Sequence, residues 1–202
     1  MQLNPPDLWP PVGLSEKEHE ATKYLNAVTF SLRYFVEGFA AALELYRFSR
    51  SRPTNVRRDL PWKWQWFALH AGVWEVWNAH EYLKLVPRKI GDCATVSRHL
   101  DQATRDRALD LFKQYFPHLK SIRDAIGHAG IVQLTHDMIL ADGGLAAPQL
   151  KDGDRYEVVN NGRRFHFDMT DETLGRLTEV VTTYWAAFVP VEKEFDRLGR
   201  SD

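Results

Sequence analysis

The spacing of apolar residues in the first third of the chain predicts a long amphipathic helix. Ser15 is a good N-cap, and Glu16 and Glu18 place negative charge in the first turn. The apolar positions that follow are three or four residues apart, as expected of a helix that buries one seam: Ala21, Leu25, Val28, Leu32, Phe35, Phe39, Ala42 and Tyr46. Pro53 falls after the predicted end.

A second long helix is predicted between Pro61, which suits a first helical turn, and Pro87. Its apolar seam contains Trp66, Leu69, Val73, Val76, His80 and Leu83. Five more aromatic residues fall outside that seam: Trp62, Trp64, Phe67, Trp74 and Trp77. A helix that is aromatic on several sides is either central in a bundle or part of a subunit interface, and the sequence leaves both open.

The second half of the chain predicts three more helices. One fits Gln102 to Phe116, and Pro117 then opens a short helix with apolar residues at Leu119, Ile122 and Ile126. The Gly-rich segment 141–153 predicts a loop. A last helix is expected after Thr170, with a kink about one turn before Pro190.

The segments on either side of Asn161-Gly162 alternate apolar and polar residues, which is a strong signal for a β-hairpin. The expected register places two pairs on one face: Val158 opposite Phe165, and Tyr156 opposite Phe167. The predicted fold is therefore all-α, a four- to five-helix bundle with one inserted hairpin at about 155–168. We expect one domain over 15–198, preceded by an extended segment over 1–14.

Composition adds few constraints. A chain of 202 residues that is 44% hydrophobic can bury a dense core without a metal or a disulfide, and Cys93 is its single cysteine. The Pro-rich residues 1–11 do not resemble a signal peptide, and no apolar run is long enough for a membrane helix. We therefore expect a cytoplasmic protein that does not contact a membrane. A net charge of -1 gives no overall attraction to nucleic acid.

One segment is locally basic: five arginines precede Asp59 without an intervening acid, namely Arg47, Arg50, Arg52, Arg57 and Arg58. Such a run is usually a solvated linker between helices. The alternative is a strip that contacts the phosphates of RNA, with Arg50, Arg52, Arg57 and Arg58 as weak backbone contacts.

The one stretch that indicates chemistry is Arg123-Asp124-Ala125-Ile126-Gly127-His128. An imidazole exchanges a proton near neutral pH, and a guanidinium holds a phosphate through two parallel hydrogen bonds. Because the 2′-OH of RNA is itself a nucleophile, this chemistry requires no cofactor. Asp124 precedes His128 by four residues, so it lies on the same side of a helix and can orient the imidazole.

An arginine, a polar residue and a histidine at this spacing, at the end of a helix in an all-α bundle, resemble the HEPN domain superfamily. Its signature is Arg, four to six residues and His, with Asn, Asp or His favoured directly after the Arg. The resemblance implies a homodimer whose motifs face one cleft, and the family's active members are metal-independent endoribonucleases, many of them toxins or defence effectors. We therefore expect a homodimer that cleaves or binds RNA, with an antitoxin as a candidate partner. Arg123 then binds the scissile phosphate, His128 is the general acid or base, and Asp124 positions them.

Other interpretations remain open. Side chains five residues apart on a regular helix are separated by about 140°, so Arg123 and His128 need relaxation at Gly127 to point the same way. The chain is alternatively a non-catalytic interaction module or scaffold in which Arg123 and Asp124 form a stabilising salt bridge. Exposure of Arg123 and His128 to a shared groove favours catalysis, and a salt bridge favours the module.

His80 lies on the apolar seam of the second helix, where it either satisfies a core hydrogen bond or supports His128. His70, Glu75 and His80 are five residues apart each time, which places them on different sides of the helix. Glu16 and His19 have the Glu-x-x-His spacing of di-iron bundles, but the second copy that such a site needs is lacking. We therefore predict no metal site and no cofactor.

Overall fold

A computed structural model describes residues 3–51, 57, 60–128, 149–151, 154–160 and 163–199. These residues form helices and one small sheet: α1 (Glu16–Arg50), α2 (Leu60–Leu85), α3 (Pro87–Ile90), α4 (Ala94–His99), α5 (Gln102–Tyr115), α6 (Leu119–His128), β1 (Gln149–Lys151), β2 (Arg155–Asn160), β3 (Arg163–Asp168), α7 (Asp171–Ala186) and α8 (Val189–Leu198). The mostly helical fold with an inserted hairpin confirms the predicted fold class. None of the described helices is long and apolar enough to cross a membrane.

The beginning of α1 agrees with its sequence signal. The Glu18 backbone N–H donates to Ser15 Oγ, and the Ser15 N–H donates back to Glu18 Oε2 at 3.3 Å, which is a capping box. Seven of the eight predicted seam positions of α1 are buried, and Phe35 is half-buried. The predicted seam therefore identifies the core-facing side of this helix.

The effect of Pro190 is larger than the predicted kink, because the last helix is interrupted at Ala187 and Phe188. The N–H groups of these two residues donate to Tyr184 and Trp185, three residues back, which ends α7 in a tight turn. Pro190 cannot donate a backbone hydrogen bond, so α8 starts as a separate helix with the proline in its first turn.

Three short elements differ from the sequence prediction. Strand β1 lies inside segment 141–153, which we predicted to be a loop, and α3 and α4 were not predicted. Helices of four and six residues are too short to show a periodic apolar pattern. The three-residue strand β1 is defined by its pairing with β2, which no local pattern encodes.

The chain forms two compact units. Unit 1 comprises Met1–Val36, Asn78–Tyr115 and Arg176–Asp202, and unit 2 comprises Glu37–Trp77 and Phe116–Gly175. Helices α1, α2 and α7 each contribute residues to both units. The single domain expected over 15–198 stays a prediction.

In unit 1, polar groups of buried side chains bond to the backbone. The Trp185 indole Nε1 donates to the Thr29 carbonyl at 3.0 Å, and the Tyr184 hydroxyl donates to the Leu83 carbonyl at 3.4 Å. The N-terminal segment is attached in the same way. Leu8 is fully buried, and its N–H donates to Asn26 Oδ1 at 3.0 Å.

In unit 2, an antiparallel sheet of order β1-β2-β3 supports α6. Val158 pairs with Phe165 and Tyr156 pairs with Phe167, which confirms the predicted hairpin register. Helix α6 packs on β2 and β3, and the three apolar residues predicted for it are buried: Leu119, Ile122 and Ile126. Because the apolar side of α6 packs on the sheet, the positions of Arg123 and Asp124 around the helix relative to the sheet are fixed.

Candidate functional site

Arg123 is held at the edge of the buried side of α6. Its neighbours Ile122 and Ile126 are buried, whereas the Arg123 side chain is 25% exposed. The guanidinium lies over the indole of Trp77 on α2, with Cζ 4.1 Å from the ring centroid. A guanidinium over a Trp ring is stabilised by the ring quadrupole, and the contact holds this planar group against the indole.

Asp124 is the ion-pair partner of Arg123 in the described part of the chain. Arg123 Nη1 lies 3.1 Å from Asp124 Oδ1, and the aspartate side chain is 28% exposed. Arg123 Nε is buried and has no hydrogen-bond partner among the described residues. The guanidinium therefore combines one protein carboxylate, one aromatic face and partial exposure.

His128 is the last residue of α6, and the helix continues to it through Gly127. The backbones of Asp124 and His128 are therefore one helical turn apart, as predicted. The side chain of His128 lies outside the described residues, so its approach to Arg123 stays a prediction.

The arginine-rich segment is partly neutralised by distant acids. Arg47 forms an ion pair with Asp171, and Arg50 forms one with Asp154. Arg57 is exposed. Two of the predicted phosphate contacts lie outside the described residues: Arg52 and Arg58. Because the ion pairs of Arg47 and Arg50 are largely exposed, each is weak, and the phosphate contacts expected of this segment stay a prediction.

His80 belongs to unit 1, whereas Arg123 and Asp124 belong to unit 2. Its ring stacks on Phe112 with centroids 4.6 Å apart, and Nδ1 lies 3.6 Å from Glu81 Oε1. Burial lowers the pKa of His80, which favours the neutral imidazole. These contacts are those of a packed histidine, and a supporting role beside His128 stays a prediction.

Trp77 was not predicted to lie at the site, although it is one of the aromatic residues outside the apolar seam of α2. No local signal links Trp77 to Arg123, because 46 residues separate them. Elsewhere on the same side of α2, Trp66 packs edge-on against Tyr156 with centroids 5.7 Å apart. Trp66 Nε1 and the Tyr156 hydroxyl are both buried without a hydrogen-bond partner among the described residues.

The described residues contain no group of three or more His, Cys, Asp or Glu side chains placed to hold a metal ion. The sequence and the fold were also compared with known proteins. No family model, no curated protein and no solved structure matches the chain.

Proposed function

We propose that the protein is a HEPN-like, metal-independent endoribonuclease in which Arg123 binds the scissile phosphate and His128 moves the proton. The 2′-oxygen attacks phosphorus, the bond from phosphorus to the 5′-oxygen breaks, and a proton passes from the 2′-OH to the leaving 5′-oxygen. The products are a 2′,3′-cyclic phosphate and a 5′-hydroxyl. His128 supplies one of the two proton transfers, and Asp124 holds Arg123 in place.

The observation that carries this proposal is the environment of Arg123. Trp77 supports one face of its guanidinium at 4.1 Å, Asp124 lies 3.1 Å from Nη1, and a quarter of the side chain is exposed. A guanidinium held in this way loses little conformational entropy when it binds a phosphate. Preorganised charge of this kind stabilises the extra negative charge of a phosphoryl transition state.

The proposal includes a homodimer in the cytoplasm, since the resemblance that motivates it implies two facing motifs. Large apolar side chains exposed in unit 1 are compatible with self-association: Trp9, Tyr24, Phe30 and Tyr34. Light scattering after gel filtration tests this part, with a mass of twice 23.4 kDa expected. An antitoxin partner is part of the same proposal.

The chemistry is tested by incubating the purified protein in EDTA with an RNA and with its 2′-O-methyl counterpart. We expect cleavage of the RNA alone, with cyclic phosphate at the new 3′ ends, because the methyl group removes the nucleophile. Cleavage of both oligonucleotides, cleavage that needs an added metal, or no cleavage over varied RNAs contradicts the proposal.

A second candidate is a non-catalytic helical interaction module. It is favoured by the salt bridge between Arg123 and Asp124, the contact that we expected of a structural arginine. The two candidates differ in stability measurements. In a purely structural role, Arg123→Ala lowers the free energy of unfolding and no RNA-dependent property changes.

A further inference from the structure

One side of α2 in unit 2 presents large aromatic residues to solvent. Lys63, Phe67, Ala71 and Trp74 are all exposed, and Phe67 and Trp74 are 68% and 39% exposed. At about 100° per residue these four positions fall within about 80° of one another around the helix. We refer to them as the α2 stripe.

The α2 stripe leads to Arg123. Trp77 follows Trp74 by three residues and lies about 60° further around the helix, where the Arg123 guanidinium covers its ring. A positive charge therefore stands near each end, at Lys63 and at Arg123, with exposed aromatic rings between them. Lys63 and Trp77 are about 21 Å apart along the helix at about 1.5 Å per residue.

We propose that the α2 stripe is a track for single-stranded RNA. Bases stack on Phe67 and Trp74, and backbone phosphates contact Lys63 and Arg123. This inference rests on the proposed function, because the track would lead the RNA strand to Arg123. A track of about 21 Å accommodates up to about six nucleotides at the 3.4 Å rise of a stacked strand.

Three features favour a single strand over an apolar protein partner. Phe67 and Trp74 lie on either side of the small exposed residue Ala71, and both rings are exposed. The half-buried His70 lies next to the α2 stripe and offers a hydrogen-bonding group between the rings. Exposed rings bracketed by cations are the arrangement with which proteins bind unpaired bases and their backbone.

The test is binding of a 12-nucleotide 2′-O-methyl single strand, followed by fluorescence anisotropy in EDTA. This probe keeps the bases and phosphates but cannot be cleaved by its own 2′-OH. We expect Phe67→Ala and Trp74→Ala each to weaken binding roughly 10-fold, from the loss of one stacked base. Trp62→Ala is the matched control, because Trp62 is 59% exposed but lies at least about 100° around α2 from every residue of the α2 stripe.

The outcomes separate this inference from the proposed function. If the wild type binds the probe and loses affinity in both stripe variants, the track is supported even if the wild type cleaves no RNA. If the wild type does not bind, or if both stripe variants bind as Trp62→Ala does, the track is wrong whatever the cleavage result. If the variants change the mass measured by light scattering and not the affinity, the stripe is an interface between copies and the proposal is overturned.

Discussion

The guanidinium carbon of Arg123 lies 4.1 Å from the ring centroid of Trp77, two residues that are on different helices of unit 2. This contact joins Arg123 to a residue on another helix, whereas its ion pair with Asp124 joins two sequence neighbours. The contact also gives Trp77 a role, the support of the Arg123 guanidinium, that its position in the sequence does not indicate.

A double-mutant cycle measures that contact. Trp77→Leu and Arg123→Met each remove one partner and keep most of the apolar volume, so we expect a coupling energy of about 1 kcal/mol. The free energies of unfolding come from urea denaturation. The cycle of Trp62→Leu with Arg123→Met is the control and should show no coupling, since Trp62 packs on Trp66. Equal coupling energies in the two cycles would contradict a specific contact between Trp77 and Arg123.

The buried hydroxyl of Tyr156 makes a second prediction. Burial raises the pKa of Tyr156, and the hydroxyl has no partner among the described residues. Tyr156→Phe should therefore leave the free energy of unfolding unchanged or raise it by up to about 1 kcal/mol. Tyr184→Phe is the control, because it removes the bond to the Leu83 carbonyl and should cost about 1 kcal/mol. A clear loss of stability in Tyr156→Phe indicates that the hydroxyl is bonded, for example to a buried water.

Glu75 makes a prediction about pH. It lies against Gly38, and burial raises the pKa of the carboxyl above its usual 4.5. The folded state therefore favours the protonated form, and this contribution to stability is present below pH about 4.5 and lost as pH rises through the raised pKa. Glu75→Gln should raise the free energy of unfolding at pH 7 by about 0.5 kcal/mol, since the carboxyl is partly solvated.

The same comparison at pH 4 should show no difference between Glu75→Gln and the wild type. Urea denaturation at the two pH values is the measurement, and Glu20→Gln on the exposed side of α1 gives the effect of removing a surface charge. A stabilisation by Glu75→Gln that is equal at both pH values contradicts the assignment.

Replacement by alanine is expected to have opposite effects on the melting temperature at Gly72 and at Gly175. A Cβ at Gly72 would lie 2.7 Å from Met169 Sδ and 3.3 Å from the Phe39 ring, and both side chains are buried. Overpacking of about 1–3 kcal/mol should exceed the gain in helix propensity of about 1 kcal/mol, so Gly72→Ala lowers the melting temperature. A Cβ at Gly175 meets nothing within 4 Å, so Gly175→Ala should raise it. A Gly72→Ala variant as stable as Gly175→Ala contradicts the close packing of α2 on Met169.

Local pattern was enough to predict the elements that position the site. The alternation of three- and four-residue steps identified the buried seam of α1, and Asn161-Gly162 predicted the register that pairs Val158 with Phe165. The apolar residues of α6 were predicted and are buried, because a helix that packs on a sheet must present one apolar side.

The partners of the charged residues could not be predicted in the same way. Asp171 pairs with Arg47 and Asp154 with Arg50 across more than 100 residues of sequence. Trp77 reaches Arg123 only because both helices pack in unit 2. Periodicity reports which side of a helix is buried but not which element covers it, so contacts between distant segments need the fold.

RNA cleavage in EDTA by site variants tests whether Arg123 and His128 form the metal-independent ribonuclease site that we propose. Arg123→Ala and His128→Ala are compared with two exposed residues of the same types, Arg107→Ala and His166→Ala, after circular dichroism confirms that all four are folded. We predict at least a roughly 100-fold loss of rate in the first pair and an unchanged rate in the second. Equal rates in all four variants, or no cleavage by the wild type, would contradict the assignment.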